Sequence, residues 1–565
     1  MIARVPRTMA ELLRGRADAR PERTALSFWK DGGWTTWTWA ALRERAESVA
    51  AGLAAAGICG GDNVLLVVPE VDLTVASLFG AWWLGAVPVP VGLPFRLTDE
   101  RAFFESLRVT ARRLDARALV TNRALAAFAT KDEAITILDA EDLVAAVPQS
   151  APPRSRSPSA PAVIQLTSGS TGVPRGVVLA HDRLLEHMAC MSAALPSHSE
   201  SVAMSWLPLH HDMGLMGGLL FPLYNDFIGH MLSPADFRRR PMLWLELMSA
   251  QRATICAAPP SAYAVVLRMA QRAVEAGLRF DAWECAMVGA EPISADLLRR
   301  FAEAFAPAGF RAEAFFPVYG LAEATVAVTF PRLLERTRFD VIDRSRLERH
   351  GLAVACAAGP CALELVGVGS PIPGTEVQVI AEDGSLRRDR CVGEILVRAP
   401  TLMLGYFDDP AETNDAVRGG WLRTGDLGYL ADGTLFITGR KKDLIIRAGH
   451  NLIPSVIEEV VSAVAGVRGG GVAAVGIRAA ADETERCHVI AETKFPPEQY
   501  PELARDVRAA LESQAIPIDA LVFVRPGTLP KTSSGKIRRR ALAEAYATVA
   551  RWRARGNRSD EWRKR

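Results

Sequence analysis

Short apolar runs rich in β-branched residues recur along this chain and alternate with stretches rich in alanine, leucine and arginine. Examples are residues 63–68 (NVLLVV), 116–121 (ARALVT) and 162–168 (AVIQLTS). An apolar run without polar alternation is typical of a strand buried on both faces, and helical crossovers normally cover such strands. The alternation therefore predicts an α/β architecture of βα units around buried sheets.

Size and charge narrow the class of protein further. The chain has 565 residues, 49% of them hydrophobic, so it is expected to form more than one domain. Lys and Arg (66) nearly balance Asp and Glu (64), which gives no argument for nucleic acid or an anionic membrane as a partner. The longest apolar run, residues 77–95, is interrupted by prolines and predicts a buried helix and an extended segment rather than a membrane span. The eight scattered cysteines and an Arg-rich start without an apolar stretch predict a cytoplasmic protein.

A hydroxyl- and glycine-rich loop, TSGSTGVPRG, follows one of the apolar strand patterns. Backbone N–H groups and hydroxyls in such a loop can surround phosphate oxygens, and the glycines allow close approach. It is not a Walker loop, because GxxxxGK[ST] is absent and the residues after Gly176 predict a strand rather than a helix. Taken alone, the segment also allows a plain polar turn.

Two composition changes mark candidate boundaries. Residues 148–161 (PQSAPPRSRSPSAP) predict a surface linker between subdomains. A second boundary is predicted at residues 439–443, where GRKKD ends a strand-rich region. The predicted organisation is an N-terminal domain over 1–438, this boundary segment, a small α+β domain over 444–550 and a charged tail over 551–565.

Five motifs in order make the chain resemble the adenylate-forming superfamily of acyl-CoA synthetases, luciferases and peptide-synthetase adenylation domains. They are TSGSTGVPRG at 167–176, YGLAEAT at 319–325, WLRTGD at 421–426, GRKKD at 439–443 and PKTSSGK at 530–536. In the first motif Arg175 replaces the commoner Lys, which keeps the charge but changes its geometry. The resemblance covers nearly the whole chain. It implies the acyl-adenylate synthetase fold, with a large multi-subdomain N-terminal α/β domain and a small mobile α+β C-terminal domain.

The resemblance also implies which residues act. It assigns catalytic roles to Lys536, Glu323 and His211, with Glu323 as a Mg²⁺ ligand, and it makes Lys442 the pivot of a hinge over 439–443. The ATP-binding residues that it implies are Thr167, Ser168, Gly169, Ser170, Thr171, Gly172, Arg175, Gly289, Ala290, Tyr319, Gly320, Thr325, Asp426 and Arg440.

Chemistry agrees with a role for Lys536, although single residues remain ambiguous. Joining a carboxylate to the α-phosphate of ATP brings anions together, and a mobile cation lowers that barrier. Taken alone, Lys536 also fits a solvated charge, Asp426 a turn residue and Glu323 a helix-start carboxylate.

The segment SWLPLHHDMG at 205–214 resembles the fatty acyl-AMP ligases, in which SWLPLYHDMGL is characteristic and a Tyr stands where this chain has His210. The resemblance places His211 by the acyl site and the apolar residues 213–220 around a lipid pocket, although core packing explains each apolar position as well. Neighbouring residues of a strand point to opposite faces, so the adjacent histidines do not predict a metal site.

The long connection between Phe330 and Val368 matches an insertion of that branch, although a surface loop is the alternative. The resemblance implies that the insertion hinders the domain rotation that serves coenzyme A, so that the pantetheine arm of an acyl carrier protein receives the acyl group. An apolar contact of the insertion is predicted through Leu347, Leu352 and Val354.

The predicted function is ATP- and Mg²⁺-dependent activation of a fatty or other lipophilic carboxylic acid to acyl-AMP, with pyrophosphate release and transfer to a carrier-protein thiol. The alternatives are an acyl-CoA ligase that forms the same adenylate and a non-catalytic adenylate-binding protein. Neither a GxSxG elbow nor a GxGxxG turn after a strand stands out, so hydrolysis and hydride transfer are not favoured.

Overall fold

The computed structural model describes residues 5–93, 100–128, 135–148, 153–167, 174–447, 449–478, 484–531 and 536–554, with side chains up to residue 546. The α-helices are α1 Met9–Ala19, α2 Trp39–Ala55, α3 Val71–Leu84, α4 Glu100–Arg113, α5 Arg123–Ala126, α6 Ala140–Ala145, α7 His181–Ala194, α8 Phe221–Asn225, α9 Pro234–Arg239, α10 Met242–Ala250, α11 Pro260–Leu267, α12 Ala270–Glu275, α13 Ala295–Phe305, α14 Arg344–His350, α15 Pro410–Ala416, α16 Pro454–Ser462, α17 Tyr500–Ser513 and α18 Arg539–Ala554. A π-helix spans Met213–Leu220, and 3₁₀ turns span Ala306–Ala308, Ala312–Ala314, Ala322–Ala324, Lys441–Asp443 and Pro497–Gln499.

The strands are β1 Thr24–Lys30, β2 Gly33–Thr38, β3 Asn63–Val67, β4 Val87–Pro90, β5 Ala116–Thr121, β6 Thr136–Asp139, β7 Pro161–Thr167, β8 Arg175–Ala180, β9 Val202–Ser205, β10 Ile228–Met231, β11 Ile255–Ala258, β12 Cys285–Val288, β13 Phe315–Pro317, β14 Tyr319–Gly320, β15 Ala327–Phe330, β16 Phe339–Asp343, β17 Ala362–Val366, β18 Ser370–Pro371, β19 Glu376–Ile380, β20 Gly393–Arg398, β21 Gly405–Tyr406, β22 Val417–Arg418, β23 Trp421–Ala431, β24 Thr434–Arg440, β25 Ile445–Arg447, β26 His450–Leu452, β27 Val467–Ile477, β28 Arg486–Thr493 and β29 Ala520–Val524. Strands alternate with helices through much of the N-terminal part, as predicted.

A seven-stranded sheet organises the N-terminal part, in the order β13-β12-β11-β9-β10-β1-β2. Neighbouring strands from β13 to β1 run parallel, and β2 is antiparallel to β1. Strands β11 and β12 are buried at every position, which explains their continuous apolar sequences. The carboxyl ends of parallel strands meet at one edge, so the segments after β9, β12 and β13 come together there.

A second parallel sheet, β4-β3-β5-β6, contains two of the strands that the apolar runs predict. The helix α3 connects β3 to β4. It is buried from Leu73 to Leu84 and ends at Gly85, whose positive φ of 81° favours glycine. The helix and the extended strand β4 confirm the prediction for this apolar run. Within the described ranges, no helix is both long and apolar enough to cross a bilayer.

The small sheet β21-β8-β7 holds both ends of the hydroxyl-rich loop. Thr167 at the end of β7 pairs with Arg175 at the start of β8, so the loop closes a hairpin. Strand β8 confirms the strand predicted after the loop. The candidate phosphate-binding residues Ser168, Gly169, Ser170, Thr171 and Gly172 lie outside the described residues.

The C-terminal part forms its own α+β unit around the sheet β27-β28-β29, with a core that includes Val461, Val489 and Val507. A large multi-sheet N-terminal domain and a smaller C-terminal domain therefore make up the chain, and the fold class is confirmed. The boundaries at 439–443 stay a prediction. The helix α18 continues to Ala554, beyond the predicted start of the charged tail at Arg551, because its sequence is rich in good helix formers.

The insertion between Phe330 and Val368 folds as the hairpin β16-β17 with α14 between its strands. Leu347 is buried in an apolar cluster, as predicted, and Leu352 is half-buried. The predicted contact through Val354 is wrong, because its side chain is 40% exposed. Ala353 beside it is buried, and successive side chains of an extended segment point in opposite directions.

Candidate active site

Asp426 lies at the centre of a buried polar group. One carboxylate oxygen accepts a hydrogen bond of 2.8 Å from the Tyr319 hydroxyl, and the other lies 2.8 Å from Nε of Arg440. Burial and the adjacent Asp426 raise the pKa of Tyr319, so the phenol stays protonated and donates. The Asp426 carboxylate also raises the pKa of Arg440, which keeps the guanidinium charged. Three predicted ATP-binding residues are thus brought together by β14, β23 and β24.

Two predicted glycines allow close backbone approach at the carboxyl edge of the large sheet. Gly289 follows β12, and a Cβ there would lie 2.8 Å from a methyl group of Val318. Ala290, the next residue, has a positive φ of 66°. A Cβ on Gly320 would overlap the carbonyl oxygen of Val326. A side chain at either glycine would therefore force the strand ends apart.

Buried hydrogen bonds hold the YGLAEAT segment and the residues after it in position. Thr325 is fully buried with φ of 69°, and its hydroxyl donates to the carbonyl oxygen of Thr401 over 2.6 Å. His187 accepts a hydrogen bond of 3.1 Å from the backbone N–H of Ala327. Thr325 therefore fixes the turn that carries Glu323 and is placed as a support, since its hydroxyl is taken by the backbone.

The side chain of Tyr406 contacts both Glu323 and Arg175. The Tyr406 hydroxyl donates to Oε1 of Glu323 over 2.8 Å. The guanidinium carbon of Arg175 lies 5.3 Å from the centre of the Tyr406 ring, and the same guanidinium is 2.6 Å from Glu412. The structure thus connects the end of the hydroxyl-rich loop to the predicted metal-binding carboxylate.

His211 lies in a turn after β9, next to the first residues of the π-helix. Its Nε2 is buried and has no hydrogen-bond partner among the described residues. Burial lowers the pKa of His211, Asp212 opposes this and Lys536 adds to it, so the imidazole is neutral at pH 7.

The reason for rejecting a metal at the paired histidines is wrong. His210 and His211 do not lie on a strand, and their rings pack together with centroids 4.4 Å apart. Within the described residues, no group of three or more His, Cys, Asp and Glu side chains is arranged to hold a metal ion. Glu323, with one oxygen held by a hydroxyl, fits Mg²⁺, which usually takes one or two carboxylates plus substrate phosphates and waters.

Lys536 comes from the small domain, and its charge acts on His211 of the large domain. The loop from 532 to 535 lies outside the described residues, but its base is closed by a bridge between Lys531 and Ile537. The predicted pivot Lys442 is exposed in a 3₁₀ turn directly after β24. The effect of its charge on the pKa of His211 places Lys536 near the segment that follows β9.

Sequence reasoning missed Tyr406, Glu412 and Glu492. The first two lie in the GYFDDPAET segment at 405–413, where a Tyr beside a Gly and an acidic helix start were the available signals. Glu492 is completely buried and accepts hydrogen bonds from the backbone N–H groups of Gly527 and Leu529. A charged residue inside the apolar run of β28 was its signal.

Comparison with known proteins agrees with this arrangement. Residues 13–407 match the family described as AMP-binding enzyme. A putative acyl-CoA synthetase of Caulobacter vibrioides is 34% identical over 90% of both chains. A medium-chain-fatty-acid–[acyl-carrier-protein] ligase, JamA, of Moorena producens is 31% identical over 97% of both chains. A solved structure from a study of fatty acyl-adenylate ligases of E. coli and L. pneumophila superimposes with a TM-score of 0.88 and 30% identity, covering 96% of this chain and 98% of that one.

The family match spans most of the large domain, and the match to JamA covers 97% of both chains. The resemblance inferred from the five motifs is confirmed. The chain therefore belongs to the AMP-binding enzyme family, has fatty acyl-AMP ligases among its relatives, and is an AMP-forming acid ligase.

Proposed function

We propose that the protein activates a fatty acid as acyl-AMP and passes the acyl group to the pantetheine thiol of an acyl carrier protein. In the first step a carboxylate oxygen bonds to the α-phosphorus of ATP, and the bond from that phosphorus to the bridging oxygen breaks as pyrophosphate leaves. In the second step the thiol sulfur bonds to the acyl carbon, AMP leaves, and the thiol proton is released.

One observation carries the first step: the ends of neighbouring strands hold the buried Asp426 group and Glu323, and the charge of Lys536, from the small domain, lowers the pKa of His211 after β9. A cation delivered there stabilises the charge that develops at phosphorus. Mg²⁺ bound to the phosphates and Glu323 would offset further negative charge. The neutral His211, whose Nε2 is unpartnered among the described residues, supports a polar contact with the acid's carboxyl group.

The π-helix beside His211 supports a lipophilic acid. Its sequence is MGLMGGLL, so nothing on it would pair with a charged substrate group. Gly214 and Gly218 pack tightly against the backbone of Pro208 and the side chain of Ser205. By contrast, a Cβ on the half-buried Gly217 would meet no atom within 4 Å. Space beside apolar residues next to the reacting carboxyl is what an acyl chain requires.

The insertion supports a carrier protein as the acceptor. Its strand β17 is tied to the large domain through the ion pair of Glu364 with Arg299. Its helix α14 is tied to the small domain, because Arg344 donates to the carbonyl oxygens of Gln514 and Ala515. Its apolar cluster also includes Ile453 of the small domain. These contacts stabilise one arrangement of the domains, and a rotation toward coenzyme A would have to break them.

The test is pyrophosphate release with fatty acids of graded length, followed by acyl transfer with coenzyme A and a pantetheinylated carrier protein as competing acceptors. We expect pyrophosphate release with one range of chain lengths, and acyl-carrier product in excess of acyl-CoA. Absence of pyrophosphate with every acid would refute the activation step.

An acyl-CoA ligase is the second candidate, favoured by the identity of 34% to a putative acyl-CoA synthetase. Rapid formation of acyl-CoA by the intact protein in the same competition would establish it and refute the carrier-specific proposal. Both candidates share the adenylate, so the acceptor alone separates them.

A further inference from the structure

The short strand β21 joins two parts of the candidate site that are far apart in sequence. Its residues Gly405 and Tyr406 pair with β8, the strand that begins with Arg175. Immediately before it, the backbone N–H of Met403 donates to the carbonyl oxygen of Glu323 over 2.8 Å. The segment is thus bound directly to the phosphate-loop hairpin on one side and to the YGLAEAT turn on the other.

Tyr406 uses both parts of its side chain at this junction. Its hydroxyl donates to Glu323, and its ring lies under the guanidinium of Arg175. Burial, and then the charge of Glu323, raise the pKa of Tyr406, so the hydroxyl remains a donor throughout the pH range of an assay. The backbone N–H of Tyr406 donates to Thr413 over 2.9 Å, which fixes the residue to the start of α15.

Glu412 completes the arrangement from α15. It forms an ion pair with Arg175, and Asp409 accepts a hydrogen bond from its backbone N–H, so the helix start holds the carboxylate in place. A guanidinium can stack on a ring and bond a carboxylate at the same time, whereas an ammonium is a point charge with no flat face. The Arg at position 175 therefore suits a chain that has both Tyr406 and Glu412.

We propose that Tyr406 is a positioning residue for Glu323, and that Glu412 holds Arg175 against the Tyr406 ring to keep it in place. The hydroxyl of Tyr406 occupies one oxygen of Glu323 and fixes the rotation of the carboxylate. The second oxygen is then directed to a divalent cation bound to the nucleotide phosphates. This inference rests on the proposed adenylation and extends it to residues with no assigned role.

The test measures metal binding rather than turnover. Mn²⁺ affinity is measured by electron paramagnetic resonance on the full chain with a non-hydrolysable ATP analogue, in the wild type and in Tyr406→Phe. Loss of a group that orients a metal ligand commonly weakens metal binding by about 10-fold, and we expect a loss of that order. Affinity for the analogue without metal is expected to stay within about 2-fold, because the Asp426 group shares no hydrogen bond with Tyr406 and is intact.

Tyr429→Phe is the matched control. Tyr429, on β23, also donates its hydroxyl to a carboxylate, Asp340 of the insertion, which in turn accepts from an arginine, Arg390. We expect Tyr429→Phe to leave Mn²⁺ affinity unchanged. Equal Mn²⁺ affinity in the wild type and Tyr406→Phe would overturn the proposal, as would an equal loss in Tyr406→Phe and Tyr429→Phe.

Glu412→Gln provides a second variant in case Tyr406→Phe does not fold. It keeps the shape of the side chain and removes the charge that holds Arg175, so Mn²⁺ affinity should fall by about 3-fold. No loss in Glu412→Gln would overturn the role given to it. A wild type that binds Mn²⁺ with the analogue but releases no pyrophosphate with any acid would refute the proposed function and leave the positioning role standing.

Discussion

In the large domain the groups proposed to bind the nucleotide contact one another, whereas in the small domain the proposed catalytic cation, Lys536, is exposed at the end of a loop whose base is held by buried residues. Asp426 is 4% exposed and is held by Tyr319 and Arg440. Lys536 is an exposed residue at the end of a loop. A pocket whose groups are already in place binds ATP without reorganisation, while a cation on a separate domain can be delivered for one step and withdrawn for the next. The predictions below test each half of this comparison.

Removal of the delivered cation should have the largest effect. Lys536→Ala is expected to slow pyrophosphate release by at least about 100-fold, because one charge aimed at a transition state is commonly worth that much. The exposed Lys494, on the same domain, provides the control, and Lys494→Ala should retain normal release. ATP binding should persist in Lys536→Ala, since the large domain holds the nucleotide groups. Near-normal release by a folded Lys536→Ala would refute the role of Lys536.

Low pH should instead lower the folding stability of the large domain. Burial lowers the pKa of His187 to about 3, and its Nδ1 lies 3.0 Å from the Thr401 hydroxyl. The unfolded chain takes up a proton near pH 6.5 and the folded chain does not, so stability falls as the pH drops from about 6.5 toward 3. At pH 5 the expected loss is about 2 kcal/mol from this residue.

Denaturant unfolding at pH 7 and pH 5 measures that loss. His187→Gln should weaken the pH dependence, whereas replacement of the exposed His350 by Gln should leave it unchanged. If the free energy of unfolding falls as much between pH 7 and pH 5 in His187→Gln as in the wild type, other groups cause the acid sensitivity. Because each protein is compared with itself at the two pH values, a destabilisation that does not depend on pH cancels from the comparison.

Neutralising Glu492, a buried residue that holds the base of the Lys536 loop, should have an intermediate effect on pyrophosphate release. Glu492 is fully buried, pairs with Arg468 over 2.6 Å, and accepts from Gly527 (2.8 Å) and Leu529 (3.1 Å). These residues precede the bridge at the base of the Lys536 loop. Glu492→Gln leaves a neutral amide among three donors, so we expect pyrophosphate release to fall by about 10-fold, with a lower melting temperature. Glu498→Gln, at an exposed position of the same domain, is the control, and equal rates in both variants would contradict this role.

The sequence predicts elements well where burial alone determines the pattern. The strands β3, β5 and β7 are mostly apolar and mostly buried, and α3 is buried around its whole circumference from Leu73 onward. The motifs predict Tyr319, Asp426 and Arg440 as members of one site, and the structure brings these three side chains together. The contacts of Tyr406 could not be predicted, because Glu323 lies 83 residues away in sequence and only the folded sheet brings them together. Strand alternation does not predict the orientation of His210 and His211, because the chain turns at these residues after β9 ends.

The smallest expected effect comes from breaking the contact between the insertion and the small domain. Arg344 and Glu348 form a buried pair on α14, 3.4 Å apart, and Arg344 also bonds the carbonyl oxygens of the small domain. Truncating Arg344 alone would leave a buried carboxylate unpaired and destabilise the insertion. The combined substitution of Arg344→Met with Glu348→Leu removes the contact to the small domain without that penalty. It should favour rotation of the small domain and raise acyl-CoA formation by about 3-fold to 10-fold, since a lost hydrogen bond to a charged group is worth about 1 kcal/mol or somewhat more.

Arg349→Ala, on the exposed side of the same helix, is the control and should leave the ratio of acyl-CoA to acyl-carrier product unchanged. Pyrophosphate release should stay near the wild-type rate in both variants, because neither changes the nucleotide pocket or Lys536. A gain in coenzyme A transfer can be no larger than the free energy with which the insertion opposed that arrangement. If the combined variant folds, releases pyrophosphate normally and still forms no additional acyl-CoA, the Arg344 contact does not determine the acceptor. The preference would then have to come from the apolar contact of the insertion with Ile453 or from the binding site for the thiol itself.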